Sequence, residues 1–220
     1  AAHNREIAAV LVEPIQGEAG VNVPETGYLA CLRRICDEHG WLLMLDEIQS
    51  GLCRTGRWYD HHHEGIRADV LTSAKALANG LPIGACMASG RAASLMKPGM
   101  HGSTFGGNPL VTRAAFTVLD IMERDDIAGH AAATGASMLT QFRERLAGDG
   151  RVKDIRGRGL MMGIELDRPA AAVKDHCLER GVLVNVTQER VIRMLPPLII
   201  DAEQAAMIVD AVCASIEALD

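Results

Sequence analysis

The feature that most constrains this chain is a run of five apolar residues that ends abruptly on two acids. The run extends from Trp41 to Leu45, and Asp46 and Glu47 follow it directly. It is too short for a buried helix, so it predicts a central strand that is covered on both faces. Asp46 then stands at the carboxyl end of that strand, where open α/β sheets bind their ligands. We therefore predict an α/β fold with a functional carboxylate at Asp46.

A second stretch, Asp69 to Gly80, presents one lysine among small residues. Val70 and Leu71 predict the end of a buried strand, and Thr72 to Ala74 leave room around Lys75. A desolvated lysine has a lowered pKa, which an amine needs in order to attack a carbonyl and form a Schiff base. The alternative is a solvated lysine at the start of a helix. Together with Asp46, a buried Lys75 predicts pyridoxal phosphate chemistry, because the lysine binds the aldehyde and the carboxylate keeps the pyridine nitrogen protonated.

Composition excludes some other classes of function. The chain has 220 residues, 48% hydrophobic and 23% charged, which suits one large or two small globular domains. Its net charge of -6 and its scattered basic residues argue against nucleic-acid binding. No apolar run is long enough for a membrane span and no signal-peptide pattern opens the sequence, so we expect a cytoplasmic protein without a membrane partner.

Cysteine and histidine give weak signals. The six cysteines form no CxxC pair and have no metal-ligand spacing, so we expect reduced structural thiols. His61 to His63 are consecutive, and neighbouring helical residues point in different directions. We expect a solvated helical surface and no metal site there, with a metal-binding module as the alternative.

The remaining pattern predicts two domains. In residues 1–120 we expect strands at Ile7 to Val12 and Leu81 to Ser89, and a helix capped by Thr26 that ends near Gly40, in a mainly parallel sheet. Residues 121–220 then form a smaller α+β domain, and the boundary falls near residue 120, inside a continuous helix. The other predicted elements are helices at Asn108 to Arg124, Ile127 to Leu146, Ala170 to Arg180 and Ala202 to Leu219, and strands at Val152 to Arg156, Leu160 to Leu166, Val182 to Val186 and Val191 to Leu195.

Collinear motifs along the whole chain resemble the class III aminotransferases of fold type I, and most closely those members that act on N-acetylornithine. The motifs are EPIQGEAG from Glu13, LDEIQSG from Leu45, RTG from Arg54, TSAKAL from Thr72, HGSTFGGNPL from His101, RGRGLMMG from Arg156 and VIRMLPPL from Val191.

The resemblance implies roles for the residues around Lys75 and Asp46. Lys75 would hold pyridoxal 5'-phosphate and then move the proton, and Asp46 would pair with the ring nitrogen. Gln49 would contact the ring oxygen, with an ordinary polar loop residue as the alternative, and Glu47 belongs to the same cofactor-binding set. Thr104 would reach the phosphate held by a neighbouring subunit and Ser103 would lie near substrate. Each active site of a homodimer would then need two chains, unless these hydroxyls form only a polar turn.

The resemblance also implies a substrate switch. Arg193 lies in an apolar, strand-like stretch, and its planar guanidinium matches a carboxylate, so it would hold the substrate α-carboxylate. Glu18 resembles the family's gating glutamate, which pairs with this arginine when the second amino-acid substrate is bound, so that a basic amino donor and then 2-oxoglutarate can be taken. A structural ion pair is the alternative for Arg193.

The implied reaction moves the δ-amino group of N-acetylornithine to 2-oxoglutarate. Succinylornithine, succinyldiaminopimelate, ornithine and 4-aminobutyrate are alternative donors on the same framework. The resemblance further implies that a proximal part of the family's chain lies outside these 220 residues, with its glycine-rich phosphate loop, a stacking aromatic ring and a substrate-binding arginine. The alternative from another class of function is therefore a catalytically silent chain.

Overall fold

Two four-stranded sheets organise the chain in a computed structural model, which describes residues 6–219. The first unit comprises residues 6–14, 24–52 and 57–126, and the second comprises Ile15–Val23, Cys53–Gly56 and residues 127–219. The division therefore falls between two helices rather than at residue 120 inside one, and two short early segments join the later unit. No helix in the part of the chain that the structure describes has both the length and the apolar content needed to cross a bilayer.

The first unit contains four strands and three α-helices, with 3₁₀ turns at Asp60–His63 and Lys75–Ala78. Strands β1, β2 and β3 are parallel and β4 runs antiparallel to β3, in the order β1-β2-β3-β4, so the sheet is mainly parallel as predicted. The elements are β1 (Ala9–Val12), α1 (Tyr28–His39), β2 (Leu42–Asp46), β3 (Val70–Ser73), β4 (Ala85–Ala88), α2 (Gly90–Leu95) and α3 (Pro109–Arg124).

The N-cap of helix α1 lies one residue after the predicted cap, Thr26. Thr26 does not cap it; Gly27, with φ of 90°, occupies the N-cap position and offers no side chain. The carboxylate of Glu64 accepts hydrogen bonds from the N–H groups of Gly27 at 3.2 Å and Ala30 at 2.8 Å. A distant side chain therefore satisfies donors that a local cap usually satisfies. Gly40, at φ of 68°, ends the helix as predicted.

One core cluster of the first unit packs around its central strand. Leu43 and Leu45 of the central strand are fully covered and pack with Leu29, Cys36 and Trp41. Six large apolar side chains between residues 95 and 116 are instead more than half exposed. They are Leu95, Met96, Met100, Phe105, Leu110 and Phe116.

The second unit is an antiparallel sheet in the order β5-β6-β8-β7, packed with three helices. Its core includes Phe142, Leu166, Ile192 and Val212, none of which is exposed to solvent. The elements are α4 (Ile127–Arg145), β5 (Val152–Arg158), β6 (Met161–Leu166), α5 (Ala171–Glu179), β7 (Asn185–Thr187), β8 (Val191–Met194) and α6 (Ala202–Glu217).

Close backbone packing fixes Cys53–Gly56 within the second unit. A Cβ on Gly159, whose φ is 54°, would lie 2.5 Å from the carbonyl carbon of Thr55, and a Cβ on Gly135 would lie 2.0 Å from the Gly159 oxygen. Both positions require glycine, because such distances are below any van der Waals contact. The N–H of Leu160 also donates to the Arg54 carbonyl at 2.9 Å.

Candidate active site

Asp46 lies at the carboxyl end of β2, next to the strand that leads to Lys75. Its Oδ1 accepts hydrogen bonds from the N–H of Ile48 at 3.0 Å and from Thr72 Oγ1 at 3.1 Å. Thr72 is also its register partner on β3. Within residues 6–219 these bonds engage Oδ1 alone, so the orientation of the half-buried carboxylate is fixed while Oδ2 can accept a further donor.

Lys75 follows β3 and begins the 3₁₀ turn Lys75–Ala78, three residues beyond the register partner of Asp46. Its φ of 49° lies in the left-handed region, which costs energy for a residue with a Cβ and is found at functional sites. The side chain is exposed, so the expected burial of Lys75 is wrong for this structure. The buried positions of this segment are taken by its neighbours Ser73, Leu77 and Ala78, and Lys75 is left on the exposed side.

Glu47 is buried and its carboxylate holds the following loop. It accepts hydrogen bonds from Ser50 Oγ at 3.0 Å and from the N–H groups of Asp60 at 2.6 Å and His61 at 3.0 Å. His61 Nδ1 lies 2.7 Å from the same carboxylate. These contacts engage both oxygens, so they favour a role in positioning the loop over the direct cofactor contact that we expected.

The histidine cluster is only partly a solvated surface. His61 is 6% exposed and is held by Glu47, which contradicts the expectation for that residue. His62 is an exposed residue. Partial desolvation, and then the electrostatic effect of His61, lower the pKa of its imidazole. Among the described residues, no three His, Cys, Asp or Glu side chains are arranged to hold a metal ion.

The remaining residues predicted around the cofactor lie in loops of the first unit. Gln49 is half-buried in the turn after β2. Ser103 and Thr104 are exposed in the loop before α3, and Ser103 Oγ accepts the N–H of Gly106 at 2.8 Å. This bond orders the turn, and a Cβ on Gly106 would lie 2.5 Å from the same oxygen.

Arg193 and Glu18 meet within the second unit, as the resemblance implied. Arg193 is on β8, 7% exposed, opposite Gly163 on β6. Its Nη1 lies 2.7 Å from Glu18 Oε1, while the Glu18 side chain itself is 72% exposed. The guanidinium is buried, whereas its partner carboxylate reaches it from the solvent side. The ion pair can therefore open without disturbing the core.

Two further arginines were part of recognised motifs but had no predicted role. Arg54 Nη1 donates to the carbonyls of Leu160 at 3.1 Å and Pro196 at 2.5 Å, and burial lowers the pKa of its guanidinium to about 10. Arg156 donates to backbone carbonyls of the Glu18 loop. A sequence signal existed, because Arg156 lies in a strand where a charged side chain needs partners.

The sheet carries a lysine just after β3 and a carboxylate at the end of the neighbouring β2. The family model described as Aminotransferase class-III matches residues 1–216, and the chain belongs to this family. Class III aminotransferases depend on pyridoxal phosphate. The predicted family and fold class are therefore confirmed.

Within the family, the curated relatives include acetylornithine aminotransferases. The chain is 51% identical to acetylornithine aminotransferase of Nitrosomonas europaea, over 98% of this chain and 55% of the relative. It is 49% identical to acetylornithine aminotransferase 1 of Bordetella pertussis, over 92% of this chain and 52% of the relative. The chain thus spans about half the length of the curated relatives it matches.

Solved structures give the same result for the fold. The ornithine aminotransferase of Toxoplasma gondii ME49 superposes with a TM-score of 0.95 and 39% identity, covering 99% of this chain and 53% of that one. The acetylornithine aminotransferase of Elizabethkingia anophelis gives 0.90 and 34% identity, covering 96% and 57%. A further structure of the T. gondii enzyme has partial occupancy of pyridoxal phosphate at its active site.

Proposed function

We propose that this chain is the lysine-bearing part of an aminotransferase that moves the δ-amino group of N-acetylornithine to 2-oxoglutarate. One observation carries the proposal: β2 and β3 are parallel neighbours, and they bring Asp46 and the segment leading to Lys75 to the same edge of the sheet. The acetylornithine aminotransferases among the relatives support the choice of donor.

The residues present suit pyridoxal phosphate. Oδ2 of Asp46 can accept the pyridinium N–H, and Lys75 is exposed at the same edge of the sheet, where its amine can meet a carbonyl. When bound, this cofactor supplies an aldehyde and a ring that accepts electrons from the reacting carbon. We assign Lys75 to hold that aldehyde and, once released by the incoming amine, to move the proton at the substrate carbon.

Asp46 keeps the ring nitrogen protonated in this proposal. An ionised carboxylate stabilises a positive charge on the adjacent nitrogen. The bonds from Ile48 and Thr72 fix the carboxylate before substrate arrives, so little reorganisation is needed during the reaction. Glu47 acts indirectly, by holding the loop that follows Asp46, and Gln49 contacts the ring oxygen.

We assign to the Glu18–Arg193 pair the choice between two different substrates. The donor reacts at an amine that has no carboxylate beside it, so a paired and neutralised Arg193 suits it. In 2-oxoglutarate a carboxylate adjoins the reacting carbonyl, so Glu18 must release Arg193 to form a bidentate contact. We assign the closed pair, at 2.7 Å, to the donor-binding arrangement.

We also propose a homodimer with shared active sites, in the cytoplasm. The exposed apolar side chains between residues 95 and 116 are the kind of surface that a partner covers, and they flank Ser103 and Thr104. Within residues 6–219 no disulfide joins any of the six cysteines, which suits a reducing compartment. In this arrangement Thr104 serves the phosphate of the partner's site, and Ser103 lies near substrate.

Subunit mixing tests the shared site. Lys75→Ala and Thr104→Val dimers should each be impaired, but a mixed dimer would contain one site with both residues intact. Random exchange at equal amounts should therefore restore about a quarter of wild-type activity. If Thr104 serves its own subunit, mixing restores none.

Donor choice is tested by comparing kcat/KM for N-acetylornithine with that for ornithine, succinylornithine, succinyldiaminopimelate and 4-aminobutyrate, using the full-length gene product. We expect N-acetylornithine to have the highest value. Ornithine is the second candidate, because the fold matches ornithine aminotransferases at a TM-score of 0.95. A protein that transfers no amino group from any of these donors would contradict the proposed function.

A further inference from the structure

The loop that carries Glu18 has an unusually well-bonded backbone. Gln16 and Asn22 close it as an isolated antiparallel bridge, with N–H to oxygen distances of 3.0 and 3.2 Å. Each carbonyl from Gly17 to Val21 accepts at least one hydrogen bond. A surface loop usually leaves several such groups to water, so this loop is held in one backbone conformation.

Arg156 on β5 is the first of two anchors. Its Nε donates to the carbonyls of Gly20 and Val21, both at 3.1 Å, and its Nη2 donates to Gly20 at 2.7 Å. Asp154 at 2.9 Å and Glu165 at 2.7 Å fix the guanidinium in turn. Because the planar guanidinium of Arg156 is held at several points, it fixes the loop relative to the sheet.

The tip of the β7–β8 hairpin is the second anchor. Thr187 Oγ1 and Gln188 Nε2 both donate to the carbonyl of Glu18 itself, the latter at 3.2 Å. Gln188 and Glu189 have φ of 50° and 60°, values that hairpin turns usually reserve for Gly, Asn or Asp. The conformation of this tight tip therefore costs energy. It places the Thr187 and Gln188 donors at the carbonyl oxygen of Glu18.

A third strained residue lies inside the loop. Val21 has φ of 54°, which is rare for a β-branched side chain, and it is fully buried. It packs at Gly163, where an added Cβ would lie 3.2 Å from Val21 Cβ, and Gly163 is the register partner of Arg193. Strain of this kind persists only where the surroundings over-determine the conformation.

These contacts hold the backbone of Glu18 and leave its side chain, 72% exposed, as the part that can rotate. We propose that Arg156, Thr187 and Gln188 are positioning residues that fix the pivot of Glu18 and thereby set how often its carboxylate neutralises Arg193. This inference rests on the proposed function, because the Glu18–Arg193 pair there selects between donor and 2-oxo acid.

A looser pivot should disfavour the closed pair, because a carboxylate on a mobile backbone spends less time within reach of Arg193. The donor half-reaction, which needs the closed pair, should then slow. The 2-oxoglutarate half-reaction, in which substrate competes with Glu18 for Arg193, should be unchanged or faster. The ratio of the two half-reactions is the signature that a purely structural role would not produce.

The central experiment uses the double variant Thr187→Val/Gln188→Met in the full-length gene product. Both changes keep side-chain size and remove the donors to the Glu18 carbonyl. We expect kcat/KM for the amino donor to fall about tenfold relative to that for 2-oxoglutarate, as two lost hydrogen bonds predict. Amide hydrogen exchange in residues 15–23 should become faster. Gln141→Met is the matched control, since Gln141 bonds Ser137 on α4 and should change neither readout.

Arg156→Lys tests the other anchor, since lysine retains the charge but cannot contact two carbonyls in the same planar geometry. It should shift the ratio in the same direction. Faster exchange with an unchanged ratio would overturn the proposal, and so would unchanged exchange in both variants.

Equilibrium binding separates this inference from the proposed function. The double variant should bind 2-oxoglutarate about fivefold more tightly in calorimetry, because Glu18 competes less for Arg193. This readout needs no turnover. Equal or weaker binding contradicts the positioning role even if the protein is an active aminotransferase, whereas absent amino transfer by the wild-type protein contradicts only the proposed function.

Discussion

The two units differ in how completely their apolar residues are covered. In the second unit, 22 buried residues form one core cluster beneath the antiparallel sheet. In the first unit the sheet cluster contains five buried residues, and six large apolar side chains between residues 95 and 116 are more than half exposed. The second unit also exposes single apolar residues such as Leu183, but beside a large core.

The two parts of the proposed chemistry lie in units that are packed differently. Lys75 and Asp46 lie in the first unit, whose exposed face can receive further protein surface. Arg193 and Glu18 lie in the second, where a dense core fixes the arginine and the loop anchors fix the glutamate. We therefore expect variants of the first unit to affect both half-reactions equally and variants of the Glu18–Arg193 pair to separate them.

The largest expected effect is on catalysis in the first unit. Asp46→Asn removes the negative charge that we propose for the ring nitrogen, and it should lower kcat in both half-reactions by about 10²- to 10³-fold, the range for a lost electrostatic contact in an active site. Single-turnover absorbance measurements of each half-reaction provide the test. Asp120→Asn, on the exposed side of α3, is the control and should be neutral. A loss of rate in only one half-reaction would contradict the expectation that variants of the first unit affect both half-reactions equally.

Stability should depend strongly on the core of the second unit. Leu166→Ala removes a side chain that is 0% exposed and should lower the free energy of unfolding by about 2–5 kcal/mol. Urea denaturation measures this change. Leu183→Ala is the same substitution at a position that is 85% exposed, and it should stay within about 0.5 kcal/mol of wild type. Similar losses for both variants would show that the core is not packed as described.

A smaller, pH-dependent effect is expected from Asp69 in the first unit. Burial raises the pKa of its carboxyl, but hydrogen bonds from the Leu43 N–H and from Arg33, both 2.7 Å long, outweigh burial and lower the pKa below 3.8. The folded state therefore favours the ionised form, and its stabilisation is present above pH 3.8 and lost as pH falls through the lowered folded value.

Asp69→Asn should accordingly lower the free energy of unfolding by about 1–3 kcal/mol near neutral pH, and the difference from wild type should shrink below pH 3.8. Denaturation at a series of pH values measures it. Asp37→Asn removes a more exposed partner of the same Arg33 and should cost less. A difference that grows as the solution becomes more acidic would contradict the assigned contacts.

The sequence predicted most elements because their signals are local. The apolar run before Asp46 and the glycine after α1 act within a few residues, and the structure has both; the helix predicted from Asn108 begins one residue later, at Pro109. Asn108 accepts the N–H groups of Leu110 and Val111, as a local cap does.

What the sequence did not predict depends on residues far apart in the chain. The cap of α1 comes from Glu64, which is 37 residues from Gly27. The burial of His61 depends on Glu47, 14 residues away, and the anchoring of the Glu18 loop depends on Arg156 and Thr187. The residues next to Lys75 in the sequence did not predict that its side chain is exposed, because small neighbours are compatible with a buried or an exposed lysine.

The central claim is that Lys75 is the residue that binds the aldehyde of pyridoxal phosphate. Borohydride reduction of the full-length protein with bound cofactor, followed by peptide mass spectrometry, tests it directly. We expect one pyridoxyl phosphate adduct, on Lys75, and its loss in Lys75→Ala. A protein that transfers amino groups but carries the adduct on another lysine, or keeps it in Lys75→Ala, would contradict the account.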